Sequence, residues 1–105
     1  MKVLDKKNFE TEVVQSEGTM LVDFFSETCE PCQALMPSIE ALDAKYSDKM
    51  PFAKLDTAKA RRVAIGQKIL GIPAIAIYQD GKKVEELVKD DATPEGVEAM
   101  IQKYI

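Results

Sequence analysis

The chain of 105 residues contains no histidine and no tryptophan, and only two cysteines. Without histidine there is no Cys–His or Ser–His pair, so any nucleophile works without an imidazole base. Two cysteines also fall short of the four Cys or His ligands of a closed zinc site, and zinc would need carboxylates or a second subunit. No apolar run approaches the length needed to cross a membrane. The opening Met1–Lys6 lacks the apolar core of a secretory signal, so a cytoplasmic protein with no membrane association is expected. Positive charge is not in excess: 14 Lys and Arg stand against 18 Asp and Glu, a net charge of −4. That balance gives no electrostatic footprint for nucleic acid. Structural disulfides are rare in a cytoplasm, so a cysteine pair there points to redox or metal chemistry.

Both cysteines fall in one tetrapeptide, Cys29-Glu30-Pro31-Cys32, between an apolar strand pattern and a helix pattern. Two thiols at that spacing can close to a disulfide or open to a dithiol without unfolding anything else. The strand-to-helix junction sets the first sulfur at a helix N-terminus, where unpaired backbone N–H groups stabilise a thiolate. A C-x-x-C beside a βαβ pattern reads as a dithiol–disulfide redox motif.

The rest of the chain supplies that pattern, with no internal repeat, low-complexity stretch or linker, and residues 1–105 read as one domain. Val3-Leu4 is a short strand, and Asn8 to about Ser16 a helix with Phe9 and Val13 on one face. Met20 to Phe25 is an apolar run interrupted only by Asp23, as in a central strand covered on both sides. Pro31 opens a helix in which Leu35, Ile39, Leu42 and Tyr46 follow at helical spacing, and Pro37 predicts a kink. Phe52–Leu55 is a strand and Lys59–Ile69 a helix. Ile75–Tyr78, Asp80-Gly81 and Lys83–Val88 form a hairpin signal. Thr93-Pro94-Glu95 starts a last helix with Val97, Met100, Ile101 and Tyr104 inward. The order βαβαβαββα implies an α/β fold, a mixed sheet with helices on both faces.

With Leu21–Cys32, Pro37, Ala53-Lys54-Leu55, Gly71-Ile72-Pro73-Ala74 and Asp80-Gly81-Lys82 in place, the chain resembles the thioredoxin family over essentially its whole length. The resemblance implies a thioredoxin fold, a thiol–disulfide oxidoreductase that reduces protein disulfides, and no cofactor beyond the Cys29–Cys32 pair. A flavoprotein of the thioredoxin reductase type is the implied electron donor and disulfide-containing proteins the acceptors. No exposed apolar stripe in the sequence demands a partner, so a monomer is expected, with a dimer left open. Cys29 is the expected nucleophile, and Cys32, one turn further in, the resolving thiol. Pro31 stiffens the turn between them. Burial would raise the pKa of Asp23, and the family's matching aspartate relays a proton of the second cysteine. Lys54, on the neighbouring strand, is its plausible counter-charge. The resemblance also implies a cis peptide at Ile72-Pro73, although only about one X–Pro bond in twenty is cis. That geometry would offer the Ile72 backbone to an extended substrate segment.

The departures from the family cluster at the site. Phe25 stands where tryptophan is usual, and core packing explains it. Thr28 replaces the usual tryptophan before the first cysteine, Glu30 replaces glycine, and Gln33 stands where lysine is common. Ala74 replaces threonine, and Asp90 falls where the family has a groove-lining glycine. With Glu27 and Asp91 nearby, the rim reads as acidic. A carboxylate roughly 6 Å from the Cys29 sulfur, at an effective dielectric of about 40–80, costs the thiolate about 0.7–1.4 kcal/mol. That raises its pKa by about half to one unit and favours a reductant over an oxidant. Groove residues Thr28, Glu30, Pro31, Ile72, Pro73 and Asp90 are the expected substrate contacts, in a specialised thioredoxin that discriminates among partners. Two other functions remain open at this point: a thioredoxin-fold binding subunit, and a disulfide-forming oxidant.

Overall fold

The computed structural model describes all residues from Met1 to Ile105. Strands β1 (Lys2–Leu4), β2 (Thr19–Phe25), β3 (Phe52–Asp56), β4 (Ala74–Gln79) and β5 (Lys82–Val88) form one sheet in the order β1-β3-β2-β4-β5. β1 and β2 run parallel to β3, whereas β2–β4 and β4–β5 are antiparallel. The apolar run is therefore the middle strand, as its composition predicts. Its side chains alternate between two cores. Leu21 joins Ile75 and Ile77 beneath α1 (Glu30–Tyr46) and α3 (Pro94–Gln102). Met20, Val22 and Phe24 join Ala74, Ala76 and Tyr78 on the opposite face. That face is covered by a short helix, Glu10–Val14, and by α2 (Arg61–Gly66). The α/β class and the helices on both faces are as expected.

α1 is anchored by Cys32, Leu35, Ile39, Leu42 and Tyr46, a buried stripe spaced three and four residues apart. It continues through Pro37, which sits on the exposed side. Three elements differ from expectation. The first helix is confined to Glu10–Val14, widened so that Gln15 N–H donates to the Glu10 carbonyl, while Phe9 and Val13 are buried as read. The second helix is shorter at both ends. Asp56 draws the N–H groups of Ala58, Lys59 and Ala60 into a turn before it, and Lys68 takes a left-handed φ of 60° after it. α3 ends at Gln102, so Tyr104 lies past the last turn and donates to Glu85 Oε1 at 2.8 Å.

The β4–β5 turn has both central residues left-handed, Asp80 at φ 51° and Gly81 at φ 83°, as the two-residue hairpin demands. Asp80 Oδ1 also accepts the Gly18 N–H at 2.8 Å, tying the turn to the start of β2. A Cβ at Gly81 would run into the Val14 carbonyl, whereas one at Gly66 would meet nothing within 4 Å. Gly81→Ala is expected to lower stability by about 2 kcal/mol or more through left-handed strain and that clash. Gly66→Ala is expected to be neutral or stabilising by up to about 1 kcal/mol. Urea unfolding of the two variants beside the parent measures both, and equal effects would refute this reading of the turn.

Candidate active site

β2 ends at Phe25 and hands the chain to α1 through four residues held by Ser26. The Ser26 carbonyl accepts from Cys29 N–H at 3.1 Å and from Gln33 Nε2 at 3.1 Å. Its hydroxyl lies 3.1 Å from Thr28 Oγ1 and accepts the Thr28 N–H at 3.3 Å. Ser26 is buried. In the sequence its only signal is that of a small hydroxyl residue just past a strand, within the stretch that matches the family.

Cys29 occupies the N-cap of α1 with an extended backbone, and Pro31 lies in the first turn. The Cys32 N–H points at the Cys29 sulfur at 3.3 Å. One of the helix's unpaired donors thus faces that sulfur. The two cysteines are joined as a disulfide with their Cα atoms 5.2 Å apart. Cys32 is only 2% exposed, whereas Cys29 is half-buried. Thr28, Glu30 and Pro31 are exposed around Cys29.

Asp23 shares its face of β2 with Leu21 and so points beneath α1, one step nearer the end that carries Cys32. It is 2% exposed, and no backbone or side-chain group donates a hydrogen bond to its carboxyl. Desolvation pushes its pKa up to about 7, against a smaller opposing pull from Lys54. Lys54 is the Cα partner of Asp23 across the β2–β3 ladder. The two do not form an ion pair; the Lys54 ammonium sits 5.8 Å from the centre of the Phe25 ring.

The pairing of Phe24 with Ala74, and of Ala74 with Val88, brings three segments to one end of the sheet. These are the Cys29 loop, Pro73 and the turn after β5. The Ile72–Pro73 peptide is cis, and Pro73 is buried. Neither the N–H nor the carbonyl of half-buried Ile72 makes a hydrogen bond within the protein. Asp90 is exposed in the short turn Lys89–Asp91. The left-handed residue there is Lys89, at φ 54°, and its N–H donates to the Pro73 carbonyl at 2.8 Å. The backbone geometry that glycine would serve thus falls one residue before Asp90. The Lys89 stem lies across Gly71, and a side chain there would have to displace it. No three Cys, Asp or Glu side chains converge as a metal-ligand set.

The thioredoxin family model matches residues 1–103. A thioredoxin of Acetoanaerobium sticklandii is 60% identical over 102 residues, covering 97% of each chain. A thioredoxin of Peptoclostridium acidaminophilum is 55% identical over 102 residues, 97% of this chain and 93% of that one. Thioredoxin C-2 of Corynebacterium nephridii is 34% identical over 82 residues, 78% of this chain and 76% of its own.

Asp23 carries a pH signature. Its folded pKa lies above its unfolded value, so between about pH 4 and pH 7 the folded state holds the extra proton. Stability from this group is therefore full below about pH 4, falls as pH rises through about 7, and then levels off. Three pKa units correspond to roughly 3–4 kcal/mol. Asp23→Asn is expected to stabilise the oxidised protein by about 3 kcal/mol at pH 8 and to change little at pH 4. Urea midpoints measured from pH 4 to 9 test this; a pH-independent difference would sink the assignment.

Proposed function

This chain belongs to the thioredoxin family and is a protein thiol–disulfide oxidoreductase working through its Cys29/Cys32 dithiol, and from that premise we propose that it runs as a reductant with Cys29 as the attacking thiol. The observation that carries this reading is the asymmetry of the pair: a half-buried cysteine at a helix N-cap beside one that is 2% exposed. As a member of the family it needs no cofactor beyond its redox-active disulfide.

In the proposed cycle the Cys29 thiolate attacks one sulfur of a substrate disulfide. A mixed disulfide forms, and the other substrate sulfur leaves as a thiolate that takes up a proton. Cys32 then loses its proton, attacks the Cys29 sulfur and expels the second substrate thiolate. Two electrons have passed to the substrate, and the Cys29–Cys32 disulfide is restored. Asp23 suits the step in which Cys32 must be deprotonated, since a carboxylate with a pKa of about 7 accepts a proton near neutral pH. Lys54, close enough to lower that pKa but not paired, tunes the relay without quenching it. The unbonded N–H and carbonyl of Ile72 offer two backbone bonds to an extended substrate segment, with Pro73 and Thr28 beside it and Pro31 stiffening the turn.

A flavoprotein reductase is the proposed donor, returning the two electrons, and the proposed setting is the cytoplasm, where a dithiol stays reduced. No helix is long and apolar enough to cross a membrane. Glu30, in the first turn of α1 and exposed, disfavours the Cys29 thiolate and so favours electron donation. Together with Asp90 it makes a specialised thioredoxin, one whose rim disfavours acidic groups next to the substrate disulfide.

Cys32→Ser is expected to accumulate a mixed disulfide between Cys29 and substrate, and Cys29→Ser to accumulate none; mass spectrometry after exposure to insulin reads both. In the reduced parent, iodoacetamide should modify Cys29 at least tenfold faster than Cys32, and equal rates would overturn the assignment. Glu30→Gly with Asp90→Gly is expected to raise turnover by an unrelated bacterial thioredoxin reductase several-fold. Parent turnover already at the level of that reductase's own substrate would remove the case for specialisation.

A further inference from the structure

Although the chain is acidic overall, five of its fourteen Lys and Arg residues gather at one place. Lys6, Lys7, Lys59, Arg61 and Arg62 line a shallow hollow of about 560 Å³ whose other walls are Ala58, Ala60 and Val63. No carboxylate lines it. Lys6, Lys7, Arg61 and Arg62 are exposed and belong to no ion pair. The nearest acids along the chain are turned back on the backbone. Asp5 accepts the N–H groups of Lys7 and Asn8 at 2.7 and 2.8 Å, and Asp56 accepts that of Ala58 at 2.9 Å.

The patch is continuous with the redox site. Lys59 reaches Glu27 at 3.4 Å, two residues before Cys29. A neighbouring hollow shares Lys59 and Ala60 with the patch and is also walled by Glu27 and Gln33, the residue after Cys32. The cations are exposed around an open hollow rather than enclosing a small ligand, which suits a broad macromolecular surface. A net charge of −4 opposes approach of a long polyanion such as nucleic acid, while a protein can match a local patch and avoid the acidic remainder.

We propose that this basic patch is a docking lobe for the acidic surface of a protein partner whose disulfide is being presented to Cys29. The proposal rests on the reductase reading above and adds the partner's chemistry to it. A partner suited to both features carries acidic residues to one side of its disulfide and none in contact with the acidic rim. Such an arrangement orients the partner before sulfur meets sulfur, and it acts on the association rate.

The test uses reduced full-length protein and synthetic peptides with one common disulfide-bridged core. A Gly-Ser spacer joins the core to four glutamates, four glutamines or four lysines, on its N-terminal or C-terminal side. At low ionic strength one of the two glutamate peptides is expected to be reduced about fivefold faster than its glutamine counterpart. That advantage should fall below about twofold at roughly 0.5 M salt. It should vanish in Lys7→Ser/Arg61→Ser/Arg62→Ser while the glutamine peptide keeps its rate, and survive in Arg61→Lys/Arg62→Lys. No advantage for either glutamate peptide, or one that persists in the triple variant, overturns the proposal. So does a labelled oligonucleotide binding the same residues with no rate advantage for the acidic peptides. If the glutamine peptide is not reduced at all, the reductase reading itself has failed, and the docking lobe falls with it.

Discussion

Cys29 is placed by two constraints that come from different parts of the chain. The stripe from Cys32 through Leu35, Ile39 and Leu42 to Tyr46 lays α1 across the sheet and so fixes where the helix begins. The hydrogen bonds of Ser26 fix how β2 enters that beginning, with the Cys29 N–H and the Gln33 side chain drawn to one carbonyl. Neither would serve alone. A packed helix with a loose entry loop would leave the first sulfur free to swing away from the N-terminus. A tight loop on a sliding helix would carry both sulfurs out of reach of Pro73 and the turn after β5. Because β2 is the middle strand, paired on both edges, the junction inherits the rigidity of the whole sheet.

The same central position sets the chemistry of Asp23. A strand covered on both faces has no solvated side on which to keep a carboxylate. Asp23 therefore faces the α1 core with no hydrogen-bond donor, and the environment that makes it poor for stability makes it basic near neutral pH. Closer contact with Lys54 would lower the pKa further, and without Lys54 desolvation would act unopposed and leave it higher. Placing the lysine opposite in the ladder, with its ammonium over Phe25, gives an intermediate result. One apolar strand with one acidic interruption thus accounts for both the scaffold and the proposed proton acceptor.

Much of this was legible in the residues. The apolar run, the 3–4 stripe of α1, the Asp80-Gly81 turn and the C-x-x-C pair each have a local physical signature, and each lies where it was expected. The misplaced features turn on local backbone conformations, which hydrophobic periodicity does not report. The first helix is compressed into a wide turn at Glu10–Val14, and α2 is trimmed by the Asp56 turn before it and by left-handed Lys68 after it. The role of Lys89 is a backbone one: it is a left-handed residue whose N–H meets the Pro73 carbonyl and whose stem lies over Gly71. A lysine carries no sequence signal for that conformation. The charge patch was hidden by averaging. Lys6-Lys7 and Lys59–Arg62 are some fifty residues apart in sequence, and only the parallel pairing of β1 with β3 brings the ends of these strands together.

That averaging bears on how the molecule meets its partners. Screening at physiological ionic strength limits exposed charges to about 8 Å of influence, so a partner at contact range senses local charge rather than the net −4. Glu27 and Lys59 stand at the boundary between the proposed acidic rim and the basic patch, and each is about 70% exposed. An ion pair so open contributes little to stability, so both charges remain available to a third group. An acid approaching Lys59 can replace Glu27 at small cost, and Glu27 is then free to meet a base beside the substrate disulfide. Such an exchange would couple the two regions without any movement of the backbone. It follows from the placement of two exposed side chains, one leading to Cys29 and the other leading into α2.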